Sequence, residues 1–140
     1  MALPTQLELH IVAADRALVD ARVDEVEIPG ADGYFGVLPG HTPLLALLAA
    51  GELWYRQGQD KHFLSISFGF AEVQPDRVTI LAEQAEKADE IDVARAEAAK
   101  KRAEERLARL PMDMDFERAR IALLKALIRL QVSSRARIRS

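Results

Sequence analysis

After Gly69 the chain contains no glycine, and all seven of its glycines fall between Gly30 and Gly69. Glycine supplies the positive-φ turns and close backbone approaches that folds of short strands need, and it weakens helix interiors. Its confinement to the first half therefore predicts two kinds of structure in one chain. The other composition signals change at nearly the same place. Seven of the eight aromatic residues precede residue 87, Phe116 being the exception. Residues 1–86 carry five basic and 13 acidic side chains, a net of −8, whereas residues 87–140 carry 14 basic and nine acidic, a net of +5. This asymmetry predicts two modules, 1–86 and 87–140, with different partners. No Gly/Ser-rich linker separates them, so a short joint is expected.

The first module reads as β-structure. Leu7, Leu9, Ile11 and Ala13 alternate with Gln6, Glu8, His10 and Val12 in "QLELHIVA", the pattern of a mostly half-buried strand. "VDEVEIPG" reads as a second short strand, stopped by Pro29-Gly30. "ELWYRQGQDKHFLSISFGFAEV" carries a hairpin signal around Gly58, and "EVQPDRVTILAE" another at Pro75-Asp76. The apolar run "HTPLLALLAAGELWY" fits strand or helix on its own, and its surroundings favour strand. Short strands at this spacing point to a β-sandwich.

The second module reads as two amphipathic helices. Ala96, Ala99, Ala103, Leu107 and Leu110 form one narrow stripe. Pro111 ends that helix and Asp113 can cap the next. Phe116, Ala119, Leu123, Ala126/Leu127 and Leu130 form a facing stripe. The short connection implies an antiparallel hairpin, and the fold class is α+β. An alanine seam brings the axes close but buries little area per residue, so the contact is weak. A further apolar row at Ile121, Leu124, Ile128 and Val132 needs cover from the first module or from another protein.

Several functions are disfavoured. With no cysteine in 140 residues, disulfides, a thiol nucleophile and a cysteine-based zinc site are all ruled out. His10, His41 and His62 lack ligand spacing. No phosphate-binding Gly-rich loop with lysine, nucleophile–histidine–acid set or HExxH pattern is present, so an independent enzyme is not expected. The net charge of −3 does not point to nucleic acid. The first residues lack a basic segment followed by an apolar run, and no apolar stretch spans a bilayer. A cytosolic or peripherally attached chain is expected.

The densest unusual stretch is "GYFGVLPGHTPLL", residues 33–45. It fits a bulged strand with a tight turn, or a rigid loop that presents His41 and apolar groups to a partner. "EIPGADGYFGVLPGHTPLL", "FLSISFGFAEV" and "VTILAEQAEKADEIDVARAEAAKKRAEERL" closely resemble the epsilon subunits of bacterial F-type ATP synthases, in order and over nearly the whole chain. The resemblance implies a non-catalytic rotor subunit of the central stalk, with an N-terminal β-sandwich and a mobile C-terminal helical hairpin. The implied hairpin permits ATP hydrolysis when folded on the sandwich and inhibits it when extended into the catalytic head. It also implies a gamma-subunit contact at Gly36, Leu38, Pro39, Gly40, His41, Thr42, Pro43 and Leu44, and a rotor-ring contact at Asp32, Gly33 and Tyr34. Arg118, Arg120, Arg135 and Arg137 become candidates for an acidic segment of the beta subunit; alternatively they are a solvated face. No cofactor is implied. The implied location is the cytoplasmic side of a bacterial plasma membrane, with attachment only through the complex.

"IDVARA", residues 91–96, resembles an ATP-binding motif of some such subunits. The resemblance carries over Glu86, Asp92, Arg95, Arg102, Lys125 and Arg129, with ATP as a regulatory ligand. Helix geometry is compatible: Arg95 and Arg102 differ by roughly 20° in azimuth, and Asp92 sits about 60° from Arg95. Arg118, Lys125 and Arg129 on the second helix fall within about 40° of one another. Lys125 departs from the arginine expected there, keeping the charge but losing the planar fork. The local alternative is plain helix chemistry. Asp89 would cap, Asp92 would occupy the third position, and Asp92 with Arg95 would form an i,i+3 pair.

Overall fold

The computed structural model describes residues 3–109 and 114–139. The chain divides into two compact units, Met1–Lys87 and Ala88–Ser140.

The first unit is built from seven strands: β1 (Leu7–Ala13), β2 (Arg16–Val23), β3 (Glu25–Gly30), β4 (Gly33–Val37), β5 (Leu44–Gln57), β6 (Asp60–Gln74) and β7 (Arg77–Lys87). Their order across the sheet is β2-β1-β7-β6-β5-β3-β4. Neighbours pair antiparallel except β1 and β7, which run parallel. The sheet folds over itself as a β-sandwich. Leu7, Leu9, Ile11, Val26, Ile28, Leu53, Leu64, Ile66 and Ile80 point inward and are essentially fully buried. Each such side chain contributes about 1.5–3 kcal/mol of transfer free energy.

The expected hairpins form as read. Gln57 pairs with Asp60 around Gly58, which has φ +62°. Gln74 pairs with Arg77 around Pro75-Asp76. The apolar run after His41 is strand throughout, as β5. Gly69 stands at φ +121°, and a Cβ there would overlap the Leu81 carbonyl. Only glycine allows β6 to pass so close to β7.

One strand of the first unit was not read from the sequence. "RALVDARV" is a strand in its own right, β2, paired with β1. A register shift at Ile11/Val12 lets Leu18 and Val19 both turn inward, which hides the period-2 signal. The next strand, β3, ends at Pro29-Gly30 as read, and these are its last two residues. Proline is tolerated because the β3–β5 ladder breaks between Glu27 and Gly30, so no N–H is needed there.

At the β5–β6 turn, Arg56 donates to Glu25 at 2.8 Å and lies 3.6 Å from Asp24. The Asp24 carboxylate accepts the Gly58 N–H at 2.6 Å. That bond, helped by Gln6 and Arg56, holds its pKa below the usual carboxylate value. Tyr55 stacks on His62 across the strands with centroids 4.8 Å apart, and burial pushes the tyrosine pKa up.

The second unit opens with a 3-10 turn, Ala88–Glu90, then α1 (Val93–Arg109) and α2 (Met114–Arg139). The helices pack on one another, and the short connection makes them antiparallel. Ala96 and Ala103 of α1 and Ala119 and Ala126 of α2 are buried. Leu107 is half-buried, and Leu110, Pro111 and Asp113 lie outside the described residues. Of the alternatives Ala126 and Leu127, Ala126 faces inward and Leu127 remains 43% exposed. In the second row Val132 is fully buried while Leu124 stays exposed.

Candidate docking surface and helix start

The loop after β4 is held by backbone bonds rather than by side-chain packing. His41 N–H donates to the Leu38 carbonyl at 3.1 Å, closing a turn in which Gly40 takes φ +88°. Gly40 N–H donates to the Pro75 carbonyl at 2.7 Å, and Glu8 N–H to the Asp76 carbonyl at 2.9 Å. The β6–β7 turn thus braces the loop, and that turn is itself tied to β1. The His41 Nδ1 lies 2.6 Å from its neighbour's carbonyl oxygen, Thr42 O. A carbonyl only accepts, so Nδ1 is the donor in this contact. Of the predicted gamma-contact residues, Gly36, Leu38, Gly40, Thr42, Pro43 and Leu44 are exposed, and Pro39 and His41 are half-buried. Between them Val37 plugs the core. The stretch is thus a strand, β4, followed by a tight turn as expected, and β4 pairs with β3 without a register shift.

The predicted rotor-ring residues form the β3–β4 turn. Asp32 is exposed, Gly33 stands at φ +126°, and Tyr34 is 57% exposed. The Tyr34 hydroxyl accepts the Glu52 N–H at 3.0 Å.

An apolar surface absent from the sequence-based set lies on the same unit. Leu47 pairs with Phe70, and Phe70 with Leu81, so the three form one row across β5, β6 and β7. All three are about half exposed or more, and Leu45, two residues before Leu47 on the same strand face, is 69% exposed. Phe70 and Leu81 are outward positions flanked by buried Ala71, Ile80 and Ala82, where large apolar residues stand instead of polar ones. A contiguous exposed apolar patch of this kind marks an interaction surface.

At the start of α1 the structure corrects the expected capping. The residue that caps is Asp92, not Asp89, which sits in the preceding 3-10 turn. Asp92 Oδ1 accepts the Arg95 N–H at 3.0 Å, and its carbonyl accepts the Ala96 N–H at 3.0 Å. "IDVARA" is therefore an N-cap whose aspartate bonds the arginine backbone, not its guanidinium. Arg95 and Arg102 are exposed on α1, and Lys125 and Arg129 are half-buried on α2. Glu86 belongs to the other unit, half-buried on β7.

Among the basic candidates on α2, Arg120 is already engaged. Its Nε and an Nη each donate to Glu117 at 3.0 Å, a forked pair that lowers the Glu117 pKa and raises its own. Arg118 is exposed and Arg135 half-buried. The Arg137 side chain lies outside the described residues. Among the described residues no cluster of three or more His, Asp or Glu could hold a metal ion, and no helix is long and apolar enough to cross a membrane.

Fold and surface together define a class of two-unit protein: a β-sandwich with an apolar outer face, followed by a pair of charged amphipathic helices. Comparison with known families agrees. Residues 6–88 match the model "ATP synthase, Delta/Epsilon chain, beta-sandwich domain", and residues 89–134 match "ATP synthase, Delta/Epsilon chain, long alpha-helix domain". The chain belongs to the ATP synthase delta/epsilon chain family. It is 47% identical over 131 residues to ATP synthase epsilon chain 2 of Syntrophotalea carbinolica, covering 93% of this chain and 95% of that one. It is 50% identical over 128 residues to the ATP synthase epsilon chain of Lawsonia intracellularis, covering 91% and 96%. Among solved structures, a chain of the Euglena gracilis mitochondrial ATP synthase OSCP/F1/c-ring assembly matches with a TM-score of 0.80 and 27% identity. That match covers 99% of this chain and 84% of the Euglena chain.

Proposed function

We propose that this chain is the epsilon subunit of the central stalk of a proton-translocating F-type ATP synthase, a non-catalytic part of the rotor. The observation that carries the reading is the exposed row Leu47–Phe70–Leu81 beside the braced Leu38–Leu44 loop, on a chain matched by both family domains. The row and the loop offer apolar area and fixed backbone to the gamma subunit. The Asp32–Tyr34 turn meets the membrane rotor ring. The helical unit restrains ATP hydrolysis by moving between two docked states, and the thin alanine seam suits such a switch, which needs states only a few kcal/mol apart. Arg118, Arg135 and Arg137 are its candidate contacts with the beta subunit. Membrane attachment is indirect, from the cytoplasmic side.

The test is hydrolysis by the catalytic head reconstituted with the full chain or with a chain ending at Lys87. Restraint by the helices predicts faster hydrolysis with the shortened chain. Equal rates remove the inhibitory role.

A second reading adds ATP as a regulatory ligand of the helical unit. The exposed Arg95 favours it: Asp92 caps through the arginine backbone, which leaves the guanidinium available to phosphate oxygens. Arg102, Lys125 and Arg129 of the same unit would complete the set. Calorimetry with ATP and the full chain decides; Arg95→Ala should weaken the binding, and an absence of saturable heat rejects the reading.

A further inference from the structure

The β3–β5 ladder is broken around Pro29, so no β3 residue in the gap pairs with β5. Pairing holds at Glu27↔Trp54 and resumes only at Gly30↔Leu48. In the gap, Pro29 stands directly opposite Tyr34 of β4. Tyr34 supplies an acceptor: its phenolic oxygen takes the Glu52 N–H at 3.0 Å, and Glu52 is buried. The hydroxyl sits where only glycine leaves room. A Cβ on Gly51 would come within 2.6 Å of the Tyr34 hydroxyl and 2.5 Å of the Pro29 Cβ. The ring of the same tyrosine stays 57% exposed and directly follows the Asp32–Gly33 turn. Tyr34 thus has an anchored tip on β5 and an open flank beside the turn.

We propose that Tyr34 is a positioning residue. Its hydroxyl clamps the β3–β4 hairpin onto β5 at Gly51–Glu52 and sets the orientation in which Asp32–Gly33 is presented. That this turn faces the rotor ring rests on the function proposed above. Phenylalanine at 34 keeps the ring and removes only the acceptor, so the buried Glu52 N–H loses this bond.

The experiment uses Tyr34→Phe in two settings. In the full chain alone, amide hydrogen exchange at Glu52 should accelerate about fivefold, with faster exchange in the Asp32–Tyr34 turn and none in β1. In the assembled synthase, proton pumping per ATP hydrolysed should fall while affinity for the gamma-containing head stays unchanged. A merely structural bond would not move that ratio. Gly51→Ala displaces the hydroxyl without removing it, so it should give the same exchange pattern, and adding Tyr34→Phe to it should change little more. Unchanged exchange at Glu52 overturns the clamp. Faster exchange with an unchanged pumping ratio overturns the positioning role, provided that Asp32→Arg lowers the ratio. If Asp32→Arg leaves the ratio unchanged too, the rotor-ring reading is what fails.

Discussion

Replacing Asp92 by alanine separates what the helix start does for folding from what it does for a ligand. The carboxylate accepts the Arg95 N–H at 3.0 Å, and α1 begins at Val93, so Arg95 is its third residue. The first N–H groups of a helix have no partner within it, and the aspartate also places negative charge at the positive end. Loss of such a cap costs about 1 kcal/mol. Asp92 is exposed, so water partly replaces the bond and the cost falls in the lower part of the usual range, about 0.5–1 kcal/mol. The alanine seam of the two helices holds little reserve against that loss. Asparagine caps as well as aspartate and is the control. In urea titrations followed by far-ultraviolet circular dichroism, Asp92→Ala should lower the stability of the helical unit by this amount. Asp92→Asn should change it by a few tenths of a kcal/mol, the charge term alone. Equal behaviour of Asp92→Ala and the native chain would refute the capping argument, and so would equal losses for both variants. Arg95→Ala keeps the backbone N–H in the cap and is therefore the cleaner probe of ATP binding.

Other outcomes follow from the sandwich. Ile66 is fully buried between β5 and β7, so Ile66→Ala should cost about 2–5 kcal/mol, read as a lower denaturant midpoint of the first unit. Asp24 has a depressed pKa in the fold, chiefly through the Gly58 N–H, so its contribution is present above the unfolded carboxylate pKa and is lost as pH falls through the folded one. Asp24→Ala should therefore lower the thermal midpoint at neutral pH, and the gap to the native chain should close on acidification below about pH 4. A gap independent of pH would contradict that account.

How much of this was legible in the sequence depends on how far apart the partners lie. The hairpins at Gly58 and Pro75-Asp76, the long β5 and the alanines of the two helical stripes rest on local period and turn chemistry, and each is found where that chemistry put it. β2 escaped notice because its bulge turns Leu18 and Val19 inward together. Pro29-Gly30 closes β3 as read, and the ladder to β5 is already broken there. At the helix start a capping aspartate was expected, but at Asp89; the 3-10 turn moves the helix start and gives the role to Asp92. The row Leu47–Phe70–Leu81 needed the register of three strands before its members could be seen as neighbours. The Tyr34–Glu52 bond joins β4 to β5 across a broken ladder, and no local pattern announces it.

The central claim is that the outer face of the sandwich is a docking surface for the gamma subunit, and Phe70 tests it most directly. Phe70 stands in the middle of the row and is 49% exposed, so Phe70→Glu should leave the thermal midpoint of the isolated chain nearly unchanged. Titration of the variant against the gamma-containing catalytic head should show affinity weakened by at least about tenfold, the loss expected when a charge enters an apolar contact. Native affinity in a correctly folded Phe70→Glu chain would contradict the account.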